Sequence, residues 1–217
     1  MPDDIVVRPY EPRDRAAVRA LACDTADRGE PVERFFRDRA AAADLLTSYY
    51  TDCEPQSAWV AESNGQMIGY LTGCLDSRRS RWVMTWRIVP QAVLRAFMRG
   101  TFCAPQTWRV LIAGLTTWWR GGFRRDVSPA RYPAHLHLNV RQGFRGRRVG
   151  HRLIEQFMVQ ARARGVRGLH ALIRSDNPSA CRFFDGLGFA VLSRHPIVVL
   201  DGRDRQSCDV VLYGKAL

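Results

Sequence analysis

Apolar positions along this chain fall into three stretches of different period. The first stretch mixes short strands with helix signals. Ile5, Val6 and Val7 make a β-branched run over residues 5–9. Pro12-Arg13-Asp14 then opens a helix reaching about Ala22. Residues 31–50 carry a weak helical pattern, and residues 57–61 read as a strand. Asn64-Gly65 is a hairpin turn signal, and residues 67–74 supply the returning strand.

The second stretch, residues 77–125, has helical spacing only. Val89, Val93, Leu94 and Phe97 predict one helix, with Pro90 in its first turn, where a missing N–H is tolerated. Trp108, Leu111, Ile112, Leu115 and Trp119 predict a second, ended by Gly121-Gly122. This is an inserted helical pair and not a domain.

The third stretch alternates strand and helix. Residues 135–140 are a strand. Val149, Leu153, Ile154, Phe157 and Ala161 form one face of a helix that Gly165 caps. Residues 169–173 are a strand and 179–187 a short helix. Strands at 189–192, 197–200 and 209–213 finish the chain.

Composition narrows the picture. A chain of 217 residues is long enough for one buried core and short for two, so we expect a single domain over 1–217. The net charge is +12, and Lys215 is the only lysine among the 33 basic residues. A field of that sign attracts an anion: a nucleotide cofactor, an acidic substrate, nucleic acid or anionic lipid. Residues 77–125 hold ten arginines, five of the six tryptophans and no Asp or Glu. Such a segment suits a homodimer contact, an anionic or aromatic acceptor, a membrane surface or nucleic acid. The six cysteines lack C-x-x-C pairs and zinc spacing, and the acidic start lacks an apolar signal segment, so a cytoplasmic protein with free thiols and no metal is expected.

The chemistry concentrates after the strand at 135–140. The turn Arg145-Gly146-Arg147-Arg148-Val149-Gly150 leads into a helix. First-turn N–H groups lack partners and lie at the positive dipole end, so they bind phosphate. Glycine lets the backbone come close and arginine adds charge. His135 and His137, two apart on a strand, share a face and titrate near neutrality, which makes them the general-base candidates. His170 on the next strand is a third histidine of this kind.

Residues 136–153 resemble the cofactor motif of the GNAT (N-acetyltransferase) superfamily, Gln/Arg-x-x-Gly-x-Gly/Ala after a strand. Arg145 fills the first position and Gly150 the last. Arg148 stands where the middle glycine usually is, which helical φ/ψ would accommodate. Asn177-Pro178-Ser179-Ala180-Cys181-Arg182-Phe183-Phe184-Asp185-Gly186-Leu187-Gly188-Phe189 resembles the same family's Asn-x-x-Ala-x-x-Phe-Tyr-x-x-x-Gly-Phe helix. Residues 132–137 and 165–172 also resemble the bacterial branch related to the acetyltransferase-like domain of O-GlcNAc hydrolases.

The resemblance implies an α/β (α+β) fold with a central mixed, mostly antiparallel sheet flanked by helices. It implies acetyl-CoA as co-substrate and direct acetyl transfer to a primary amine. Leu138, Asn139, Val140, Arg145, Gly146, Arg147, Arg148, Val149, Gly150, His151, Asn177 and Phe184 would then hold the cofactor. Tyr49 and Tyr50 fall in the region that lines the acceptor groove. The tyrosine that often protonates the leaving thiolate is replaced by Phe184, and Tyr213 is a candidate substitute. Phe184 and Arg148 keep open a binding module that holds CoA or another ligand without catalysis. The cationic insert keeps open a nucleic-acid or membrane-surface binder.

Overall fold

The computed structural model describes residues 4–122, 127–201 and 204–217, so the end of the 77–125 insert at 123–125 lies outside the described residues. Seven strands form one sheet in the order β1-β2-β3-β4-β5-β7-β6. They are β1 (Ile5–Pro9), β2 (Ala58–Ser63), β3 (Gln66–Cys74), β4 (Ala134–Val140), β5 (Gly168–Arg174), β6 (Ala190–Asp201) and β7 (Asp204–Ala216). Every pairing is antiparallel except β4 with β5. The mixed, mostly antiparallel sheet expected from the sequence is therefore present.

Helices cover both faces. α1 (Arg15–Asp24) and α2 (Arg39–Ser48) lie on one. α6 (Val149–Ala163) and α7 (Pro178–Gly186) lie on the other. The five apolar residues of the α6 stripe are all buried, in a core shared with Ile68, Leu71, Leu136, Leu169 and Val211. Asn64 and Gly65 take positive φ and join β2 to β3, the conformation that makes this dipeptide a hairpin turn.

Several elements run longer than their sequence pattern indicated, among them β7, which spans Asp204–Ala216 where 209–213 was expected. β6 is one twelve-residue strand, not two. Pro196 lies in its middle, and it is tolerated because β6 is the edge strand and needs no second ladder there. The first helix of the insert begins at Ser77. α3 (Ser77–Val83) runs through a π-helical turn (Met84–Ile88) into α4 (Val89–Met98). Pro90 has no N–H and its ring crowds the preceding turn, and the widened turn sits directly ahead of it.

α5 (Pro105–Trp119) completes the insert and lies along the open edge of β6. The Thr117 hydroxyl accepts the Val198 N–H at 2.9 Å, which satisfies one outward backbone group of the edge strand. α4 packs on α2 through Ala92 and Ala96, and Arg95 and Arg99 reach Asp44 and Asp38 of the α2 region. The apolar stripes read from the sequence do not face the domain. Val93, Leu94 and Phe97 on α4, and Trp108, Leu111, Ile112, Leu115 and Trp119 on α5, are exposed.

Candidate active site

β4 and β5 are paired only at Ala134–Leu169 and His135–His170. Beyond that point each strand keeps its other neighbour. β4 stays bonded to β3 as far as Val140, and β5 stays bonded to β7 as far as Arg174. The two strands therefore splay, and the backbone edge of residues 136–140 faces a gap. A cleft of about 450 Å³ fills that gap, lined from both faces of the sheet.

One end of the cleft is the turn before α6. Gly146 has φ of 79° and Arg148 has φ of 61°. Arg148 does not adopt the helical φ/ψ that would have accommodated it in place of the motif's glycine. It holds the left-handed conformation that glycine adopts without strain, at a cost of roughly 1–2 kcal/mol for an L-residue. Arg152 N–H donates to Arg148 C=O at 3.1 Å, so the N–H groups of Val149, Gly150 and His151 form the open first turn of the helix. Gly150 is packed closely, since an added Cβ would sit 3.2 Å from the Phe183 ring and 3.3 Å from Leu138. Arg145 folds its Nε onto Val140 C=O at 3.1 Å, at the tip of β4. A helix N-terminus with arginines around it is suited to a diphosphate.

Of the twelve cofactor candidates, eleven line this cleft: Leu138, Asn139, Val140, Arg145, Gly146, Arg148, Val149, Gly150, His151, Asn177 and Phe184. Arg147 does not line it, and its guanidinium lies over the Phe144 ring, 5.2 Å from the centroid. Asn177 caps α7 by accepting the Ala180 N–H at 3.2 Å, which fixes that helix beside the cleft. Ala180 and Phe183, the Ala and Phe of the second motif, also line it, as do Leu136, Leu172 and Ile173, apolar wall positions that no motif singled out.

The histidines separate. His137 is exposed and lines the cleft. His135 is buried and does not line it. Its Nε2 lies 2.9 Å from the Tyr50 hydroxyl and its Nδ1 2.7 Å from the Ser77 hydroxyl, so both ring nitrogens are engaged in ties to the π-helical turn Tyr49–Cys53 and to the start of the insert. His170 is also buried, and its Nδ1–H donates to Tyr132 C=O at 3.0 Å. Tyr50 packs edge-on to both His135 and His137, with ring centroids 5.8 and 5.7 Å away. Tyr49 turns elsewhere and donates to the Glu54 carboxylate at 2.7 Å.

Tyr213 lies on an inner strand, stacked behind Phe184 with centroids 5.8 Å apart. Its hydroxyl is pushed up to about 12 by burial and by the neighbouring Cys181 thiol. Among the described residues, no group of three or more His, Cys, Asp or Glu is placed to hold a metal ion. No helix of the described residues is long and apolar enough to cross a membrane.

Comparison with known proteins assigns this arrangement. The model of the acetyltransferase (GNAT) family matches residues 24–189. The chain belongs to that family. Its matched span takes in the insert, the splayed strands, the turn before α6 and α7. Solved structures agree across almost the full length. SsHAT is 27% identical, with 98% of each chain covered and a TM-score of 0.70. A putative acetyltransferase from Salmonella typhimurium, solved with its cofactor acetyl-CoA, is 18% identical over 98% of this chain and 94% of its own, at a TM-score of 0.60. An N-acetyltransferase from Staphylococcus aureus Mu50 is 16% identical over 98% of both chains, at 0.57. At those last two identities the likeness is one of fold. GNAT proteins use acetyl-CoA, and the splayed strands of this GNAT chain open a cleft beside the turn before α6.

Proposed function

We propose that this protein is a cytoplasmic enzyme that moves acetyl from acetyl-CoA directly to the primary amine of a small molecule or peptide. The observation that carries the reading is the V between β4 and β5, with the arginine-bearing first turn of α6 at one end and His137 on its wall. In this reading the cofactor diphosphate would sit on the N–H groups of Val149, Gly150 and His151, with Arg145 and Arg148 beside it and Arg147 turned away onto Phe144. Gly146 and Gly150 allow its approach. The exposed backbone of Leu138, Asn139 and Val140 bonds the pantetheine amides, and Asn177 and Phe184 of α7 flank the acyl end.

The acceptor enters from the opposite face of the sheet. A second pocket of about 430 Å³ between α5 and β6 shares Leu172 and Arg174 with the cleft, which gives a small acceptor room beside the thioester. The amine nitrogen attacks the thioester carbon and gives its proton to His137. A backbone N–H near Val140 polarises the carbonyl. The C–S bond then breaks. Phe184 has no proton to give, so the CoA thiolate is protonated by solvent. Tyr50 and His135 hold the imidazole of His137 in place from one side.

The test is acetyl transfer to a panel of amines read by mass spectrometry. His137→Ala lowers kcat/KM by about 10²–10⁴-fold, the usual worth of a general base, and leaves acetyl-CoA affinity unchanged. A second reading rests on Phe184: the chain binds CoA without transferring acetyl. Tight acetyl-CoA binding with no product from any acceptor would favour it.

A further inference from the structure

Apolar stripes of amphipathic helices normally face the domain, yet the insert turns both of its stripes outward. α5 buries Ala113 and Thr117 towards the sheet edge and Thr107 against the turn before the helix, and it exposes Leu111, Leu115 and Trp119, the last at 81%. α4 buries Ala92 and Ala96 and exposes Leu94, Phe97 and Met98. The two stripes meet. Phe97 lies 6.5 Å from Phe102, and Phe102 lies 6.4 Å from Trp108. Trp82 and Trp86 extend the exposed apolar surface along the helix that leads into α4.

The extent is large for a lone chain. The five tryptophans are between 54% and 81% exposed, and at about 200 Å² per indole they present on the order of 600 Å² of surface. Contiguous apolar patches on monomers rarely exceed a few hundred Å². Something covers this face.

Charge selects the occupant. Residues 77–122 contain no carboxylate side chain, and Arg78, Arg79, Arg81, Arg87 and Arg120 are exposed among the aromatics. In a symmetric dimer the same patch meets itself, so these arginines would face each other with no acid in the patch to pair with. An anionic lipid surface supplies both what the rings and what the guanidinium groups need. Aromatic and aliphatic side chains enter the acyl boundary, and the arginines meet lipid phosphates. The net charge of +12 draws the molecule to such a surface from a distance.

We infer that the α4–α5 face is a docking surface for an anionic membrane, with the helices lying flat in the interface. It stands independently of the reaction the cleft performs. The experiment is flotation of the full chain with vesicles of phosphatidylcholine alone and of phosphatidylcholine mixed with phosphatidylglycerol. The wild type floats with the anionic vesicles only, its tryptophan emission shifts to the blue on binding, and added salt weakens the association. Leu115→Glu with Trp119→Glu changes two exposed positions, keeps the thermal unfolding midpoint, and lowers the bound fraction about tenfold or more. A wild type that never floats at low salt overturns the inference. So does flotation that the double substitution leaves intact. Sedimentation as a dimer that the same substitutions split would assign the face to a second copy instead, and retention on duplex DNA without vesicle binding would assign it to nucleic acid.

Discussion

α5 and α6 are both fifteen residues long, carry apolar stripes of the same period, and lie against the same sheet, yet they bury opposite kinds of face. α6 sits on the open face of β2, β3 and β4 and puts Leu153, Ile154 and Phe157 into the core. α5 sits on an edge. There the sheet presents unpaired backbone groups, so the helix turns Thr117 and small residues inward to meet them. Its large apolar side chains are left outside. Period fixes which residues share a face, while the partner surface fixes which face goes in.

The largest break in that comparison is a pair of truncations. Phe157→Ala empties a fully buried site and should cost about 3–5 kcal/mol in urea unfolding. Leu115→Ala, at an exposed position, should change stability by no more than about 0.5 kcal/mol. An equal loss at both positions would mean that α5 buries its stripe after all.

A smaller effect concerns how the insert is held. Asp38 caps α2 by accepting the Ala41 N–H at 2.9 Å and also bonds Arg99 and Thr101 of the insert. Burial raises its pKa, but the hydrogen bonds from Thr101, Ala41 and Arg99 outweigh that and hold the carboxyl below its ordinary value. The depressed value means the contribution is complete above the unfolded carboxylate pKa, roughly 3.9, and is lost as pH falls through the folded value. Asp38→Asn should cost about 1 kcal/mol at neutral pH and flatten part of the acid limb of the stability curve. The check is the urea midpoint measured from neutral pH down to acid for both proteins. An acid limb that keeps its shape in the variant would remove Asp38 from the account.

The turn before α6 offers a stability change in the opposite direction. Arg148 stands in a left-handed conformation. Arg148→Gly should raise the stability by about 1 kcal/mol while weakening anion binding through the lost charge. A variant that loses stability would show the side chain making a contact that outweighs the strain.

Much of this was legible in the sequence. The α6 stripe, the Asn64-Gly65 hairpin and the turn from Arg145 to Gly150 depend on local pattern, and each has its expected place in the fold. The separation of the histidines was not legible. His135 and His137 share a strand face by period, and only packing tells that Tyr50 and Ser77 close over one and leave the other in the cleft. The left-handed Arg148 had one signal, the glycine that usually stands at its position in the motif; arginine itself gives no hint of that conformation. The outward stripes of the insert were hidden because residues 105–119 say nothing of the strand edge that α5 meets.

The account rests on the cleft between β4 and β5, and calorimetry with acetyl-CoA tests it most directly. The wild type should bind with micromolar affinity. The exposed pair Arg145→Glu with Arg148→Glu should keep the fold and weaken binding by about 2 kcal/mol or more, roughly 30-fold, since charge-assisted hydrogen bonds each contribute about 1.5–3 kcal/mol. A folded wild type that takes up no acetyl-CoA, or a charge-reversed pair that binds it unchanged, would contradict the account.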